Sequence, residues 1–225
     1  MSYRDASLPV SERVATLVLL GLDDAQAVAA LSTALGSPFE AMGAAHLPAA
    51  VSNGPGARTL IRIEGFGSSV EYRLGELRKL LRRYGAADVI EGEPAEALWR
   101  QIRDAIPLVE PHDKAVWRIS TAPTEGPSFT ALLSRSLDAR WFYDWGGGLV
   151  WLACDAAGDA GAAAIRAALR STGGHATLVR APAEVRAAID VFEPMSEPIQ
   201  RLASGIKASF DPAGIFNPGR MHAGI

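Results

Sequence analysis

The side chains of this sequence that could do acid–base, thiol or metal chemistry are few: His46, His112, His175, His222 and a single cysteine, Cys154. No two histidines stand at H-x-H or H-x-x-x-H spacing, so no metal site is expected. A lone cysteine forms neither an intramolecular disulfide nor a multi-thiolate centre. Inside the apolar run LVWLACD, Cys154 reads as a small buried hydrophobe. His175 opens HATLVRA directly after a glycine turn, where a side chain can reach a cleft at a sheet end; an imidazole that only bridges backbone groups is the leading explanation for an isolated histidine. Arg118 lies in VWRIS, on the strand face opposite Trp117 and Ile119, and a guanidinium between apolar neighbours needs an anion or carboxylate. RWFYDWGGGLVW collects Trp141, Phe142, Tyr143, Trp145 and Trp151. Strict alternation puts Trp141, Tyr143 and Trp145 on one face, Phe142 and Asp144 on the other. A strand loaded on both faces can meet a ligand, a cofactor ring or another domain.

Two further stretches have ordinary explanations. GFGSSV (65–70) lies between a strand and a helix with Glu91 about twenty residues on, as a dinucleotide turn would. It lacks the third glycine, however, and a glycine turn into a helix suffices to explain it. RLGELRKLLRR places Arg73, Arg78, Lys79, Arg82 and Arg83 on a helix whose other side is leucine, which reads as a solvated face. No Ser-His-Asp order, phosphate loop or pair of catalytic acids emerges.

The elements that would position these residues follow a repeated order. RVATLVLLGL is a strand, and DDAQAVAALSTALG a helix with Asp23 as N-cap and Gly36 as stop. PFEAMGAAH and ARTLIRIEG are strands, SSVEYRLGELRKLLRRYG an amphipathic helix and ADVIEG a strand. After a connecting helix, PAEALWRQIRDAI, the series recurs: KAVWRIS, the helix GPSFTALLSRSL, a hairpin of ARWFYDW and LVWLACD across Gly146–Gly148, the helix GDAGAAAIRAALRSTGG and HATLVRA. The expected fold is α+β: two ferredoxin-like βαββαβ units, 13–92 and 114–181, joined by a connector, 93–113, into a mainly antiparallel sheet with helices on one face. Residues 182–225 add a last helix and the tail. The 225 residues, 48% hydrophobic with a net charge of −3, suit one large domain or two small ones and give no argument for nucleic acid. No apolar run has the length of a membrane span and MSYRDASLPV has no signal-peptide core, so a soluble cytoplasmic protein is expected.

The tail FDPAGIFNPGRM (210–221), preceded by LASGIKAS, is too apolar for a solvated end and too rich in turn residues for a helix. It resembles the carboxy-terminal signature of FAD-linked oxidases of the vanillyl-alcohol oxidase type. VWRIS, YDWGGGLVWL, GGHATLVRAP and the tail, in that order, resemble the FAD-binding subunit of bacterial glycolate oxidases, and LPVSERVATLVLLGLDDAQAV resembles the join between that subunit's two domains. The resemblance covers the cap, or substrate, domain and not the flavin-binding amino-terminal domain.

The resemblance implies FAD in the full-length protein but none held by this chain alone. It implies as partners the missing FAD-binding domain, other glycolate oxidase subunits and a small 2-hydroxy acid, with neither nucleic acid nor membrane insertion. Asn217, Pro218, Gly219 and Arg220 would pass near the cofactor. Arg118 would hold the substrate carboxylate, while His175 or Tyr143 would accept the hydroxyl proton. Two other readings stay open: a structural subunit of a hetero-oligomeric oxidase, and a ferredoxin-like module that binds a small ligand.

Overall fold

The structure, a computed structural model, describes residues 11–222. The segment 1–10, read above for a signal peptide, and with it the first residues of the stretch resembling a domain join, fall outside them. The first half runs β1 (Arg13–Leu20), α1 (Asp24–Leu35), β2 (Gly43–Leu47), β3 (Arg58–Gly65), α2 (Gly67–Leu81) and β4 (Ala87–Glu91). Helix α3 (Gly92–Arg103) leads to the second half: β5 (Ala115–Ser120), α4 (Gly126–Leu133), β6 (Ala139–Asp144), β7 (Leu149–Cys154), α5 (Ala162–Thr172) and β8 (His175–Arg180). Helices α6 (Ala183–Ala188) and α7 (Glu197–Phe210) follow.

All eight strands form one sheet in the order β4-β1-β3-β2-β6-β7-β5-β8, and every neighbouring pair is antiparallel. Each half therefore repeats the split β-α-β order 4-1-3-2, and the halves join through their second strands, β2 and β6. That seam is narrow, with His46 opposite Tyr143 as its one register pair.

Local signals place the helices as expected. The Asp23 carboxylate accepts from the Gln26 N–H at 2.8 Å, and the Gln26 side chain returns to the Asp23 N–H, a reciprocal cap on α1. Helix α2 buries Val70, Leu74, Leu77 and Leu81 on its leucine side. Its Arg73 departs from the expected solvated face: it is buried, and Nη2 donates to the Glu64 carbonyl at 2.7 Å. Cys154 is buried, burial pushes its thiol up to about 11, and Sγ donates to the Ala160 carbonyl, so it is a packing residue.

One expectation needs correction: helices cover both faces. Helices α1 and α2 pack on Leu17, Leu19, Ile61 and Ile63, and α4 and α5 on Trp117, Ile119, Val150 and Leu152, all on one face. The connector instead carries α3 to the other face, where Leu98, Trp99 and Ile102 meet Val18, Leu60, Phe142 and Ala153. Antiparallel strands with apolar residues at both parities need a second layer. Each large side chain that α3 buries is worth roughly 1.5–3 kcal/mol. Trp99 Nε1 also donates to Thr16 Oγ1 at 2.8 Å, which satisfies a buried hydroxyl beneath the helix.

Candidate functional site

The connector covers only part of its face. Beside it opens a cavity of about 720 Å³, lined by Arg62, Glu64, Trp99, Arg118, Trp145 and Trp151 among others. Both halves of the sheet contribute walls, and the mixture of aromatic surface with a few charged groups is what a small polar ligand requires.

Most of the charge here is already matched. Arg62 Nη2 lies 2.7 Å from Glu64, Arg103 Nε lies 2.7 Å from Asp104, and Arg100 pairs with Glu93. Among the described residues Arg118 has no carboxylate at ion-pairing distance. Its guanidinium instead lies 5.0 Å from the centroid of the Trp145 ring. The expectation that this strand arginine has an anionic partner is thus unmet within the described residues, and a stacked cation facing a cavity can receive one.

Trp145 reaches this position by leaving the strand. Alternation assigned it to the Tyr143 face, but β6 stops at Asp144 and Trp145 takes φ +52 in the turn Trp145–Gly147. A bulky side chain in the left-handed region is strained, and such strain gathers at ligand sites. The turn is locked by contact: a Cβ on Gly147 would lie 2.6 Å from the Pro123 carbonyl oxygen, and one on Gly146 would lie 2.5 Å from Leu35 Cδ1. Asp144, on the same rim, is pushed above the usual carboxylate range by burial, with the Trp145 N–H partly offsetting this. A perturbed carboxyl in a cleft is a functional signal that periodicity gave no means of seeing.

The three expected catalytic residues do not converge. Arg118 lines the cavity face, whereas Tyr143 is fully buried on the opposite face of the sheet. The Tyr143 hydroxyl donates to Asp24 Oδ2 at 2.6 Å and meets Thr130 Oγ1 at 2.6 Å. Burial first, then the neighbouring Asp24 charge, pushes the phenol far above its ordinary range. His175 shares the Arg118 face, through its register with Ser120, but sits exposed on the edge strand β8 outside the cavity lining.

A second cluster, with no sequence signal, closes the seam. Asp24 accepts from Trp141 Nε1 at 2.9 Å and from Tyr143, and its Oδ1 lies 3.4 Å from His46 Nε2. His46 is fully buried, with Nδ1 at 2.9 Å from Thr59 Oγ1. Burial raises the Asp24 carboxyl, but the adjacent His46 imidazole and hydrogen bonds from Tyr143 and Trp141 outweigh it and hold it below the ordinary range.

The 65–70 turn is not shaped as a dinucleotide cradle. The sheet is antiparallel, the Arg73 guanidinium lies 2.9 Å from where a Cβ on Gly65 would sit, and Glu91 is paired with Arg13 at 2.6 Å. The tail does offer exposed groups. Asn217 to Arg220 form a turn closed by Arg220 N–H to the Asn217 carbonyl at 3.2 Å, with Gly219 at φ +67 supplying the conformation that follows proline in a type II turn. Phe210 is 83% exposed and Phe216 62%. Among the described residues, then, the tail's apolar side chains are left mostly exposed.

Comparison with known proteins bears on the same segments. The family model "FAD linked oxidases, C-terminal domain" matches residues 196–221, which are helix α7 and the tail. Glycolate oxidase subunit GlcE of Escherichia coli (strain K12) is 32% identical over 164 residues, 72% of this chain. The chain spans 38% of the length of that relative. Among solved structures, p-cresol methylhydroxylase with substrate bound superposes with TM-score 0.66 at 12% identity, covering 96% of this chain and 54% of that one. The 4-ethylphenol oxidase from Gulosibacter chungangensis, in its isoeugenol complex, gives 0.60 at 15% identity, covering 96% and 55%. The tail therefore matches the FAD-linked oxidase model, most of the chain resembles GlcE in sequence, and the fold resembles that of the two solved structures.

Proposed function

We propose that this chain is the cap portion of an FAD-linked oxidase subunit of the glycolate oxidase type, working in the cytoplasm on a small 2-hydroxy acid. The observation that carries the reading is a conjunction. The segment matching the oxidase family is the one whose apolar residues stay mostly exposed among the described residues, and the sheet's partly covered face opens a cavity holding Arg118. A flavin-binding domain seated there would close the cavity and cover the tail, with other oxidase subunits beyond it.

In this arrangement the Arg118 guanidinium binds the substrate carboxylate, and Trp145 beneath it holds the cation in place and presents an apolar wall to the α-carbon. His175, on the same sheet face, takes the hydroxyl proton as the domains close. Tyr143 holds Asp24 across the seam and so fixes the distance between the two walls of the cavity. Asn217, Pro218, Gly219 and Arg220 present their turn to the cofactor, with Arg220 toward a negative group. FAD, bound by the companion domain, supplies the two-electron acceptor.

Kinetics of the reconstituted oxidase test these roles. Arg118→Ala is expected to lower kcat/KM by at least about a hundredfold, largely through KM, because a charge-assisted bidentate contact is lost. His175→Ala is expected to lower kcat. The exposed apolar surface on α7 and the tail suits a rival reading as well, a structural subunit; unchanged kcat/KM in both variants would put that reading in place of the first.

A further inference from the structure

The tail is exposed, yet it is not shapeless. Helix α7 ends on Asp211, whose carboxylate turns back over the next residues: Oδ1 accepts from the Ile215 N–H at 3.0 Å and Oδ2 from the Phe216 N–H at 2.9 Å. Lys207, one helical turn earlier, places Nζ 2.7 Å from Asp211 Oδ2 and also donates to the Phe216 carbonyl. Phe216 therefore has both its backbone N–H and its C=O held, and the Asn217–Arg220 turn starts from a fixed point. Asp211 itself is buried, although α7 buries none of its own residues. Outward from this frame point Ile199, Leu202, Ile206 and Phe210 along α7, followed by Ile215, Phe216 and Met221, all more than half exposed.

We propose that Asp211 and Lys207 form a clasp that folds the terminal segment into a docking plug before it meets its partner, a flavin-binding domain. The inference rests on the reading of the chain as an oxidase cap. The occupant is argued from the family match, which coincides with α7 and the tail and with nothing of the packed sheet. A segment that matches FAD-linked oxidases but adds little to this chain's own core is suited to a contact outside it. The clasp makes that contact cheaper, since a segment already ordered loses less conformational freedom on binding. Asp211 and Lys207 are positioning residues: they touch the tail, not the cofactor.

Three measurements on the intact chain decide it. Amide exchange read by NMR is expected to show Ile215 and Phe216 protected in the wild type, and about tenfold or more faster in Asp211→Ala. Titration against the FAD-loaded amino-terminal part of Escherichia coli GlcE is expected to give binding that weakens about tenfold or more in Asp211→Ala and in Lys207→Met, with the thermal midpoint of the chain unchanged. Sedimentation is expected to show a monomer. Unprotected amides in the wild type, or equal affinity of variants and wild type, overturns the clasp. Protected amides without any binding by the wild type overturn the docking reading instead. Self-association abolished by Phe210→Ser would make a second copy the occupant and overturn the choice of a flavin domain.

Discussion

Asp24 Oδ2 and the Tyr143 hydroxyl stand 2.6 Å apart across the seam between the two halves of the sheet. One comes from the first turn of α1 and the other from β6, and backbone pairing between β2 and β6 is short, so this contact and the Trp141 bond are the main polar ties there. Asp24→Ala leaves the Tyr143 and Trp141 donors without their acceptor. The expected loss is about 2–4 kcal/mol of stability in urea unfolding. A change below about 0.5 kcal/mol would show the seam to be held by packing alone.

The same carboxylate gives an acid limb. Its folded pKa lies below the 3.8 of a free aspartate. Its contribution to stability is therefore complete above that value and is lost as pH falls through the lower folded one. Asp24→Asn should flatten this part of the pH–stability profile; an unaltered slope would mean that other carboxylates govern it.

Glycine substitutions should separate contact from conformation. Gly147→Ala meets a backbone oxygen at 2.6 Å and needs φ +107, whereas Gly173, at φ +75, has open space around its missing Cβ. Thermal melts are expected to give about 3 kcal/mol or more of destabilisation at Gly147 and about 1 kcal/mol at Gly173. Equal effects would refute the close approach of the 145–147 turn to Pro123.

Asp211 should titrate apart from the fold. Bonds from Lys207, then from the Phe216 and Ile215 amides, hold its carboxyl at about 2. Tail order is therefore expected to be complete above about pH 4 and to fade as pH falls toward about 2, followed by the Ile215 and Phe216 amide resonances. Their exchange should be indifferent to pH over the neutral range, apart from the intrinsic rate. Loss of protection near neutrality would assign the order to something else.

Arg118 should be dispensable for folding. It stacks on Trp145 at the cavity wall and holds no ion pair among the described residues, so Arg118→Ala is expected to cost under about 1 kcal/mol in urea. A larger loss would mark it as a structural cation and remove it from substrate binding.

Periodicity and punctuation determined much by themselves. Asp23 before an apolar helix, the leucine spacing of α2 and the twice-repeated element order all fixed local structure, because caps and amphipathic faces depend on residues within a few positions of each other. The tail's turn was readable for the same reason: proline and glycine restrict their own φ. Alternation also set Arg118 opposite Trp117 correctly.

What only the tertiary structure decided is which distant residues share a place. Tyr143 and Asp24 are 119 positions apart and meet because β2 lies beside β6. Trp145 joins Arg118 because a left-handed turn, locked by neighbours distant in sequence, takes it off its strand parity. Arg73 is buried because the Glu64 carbonyl waits for it, and α3 crosses to the far face because that face had apolar residues to cover. Strand order, register and layer are settled by burying all these surfaces at once, a sum over the whole chain that no local window contains.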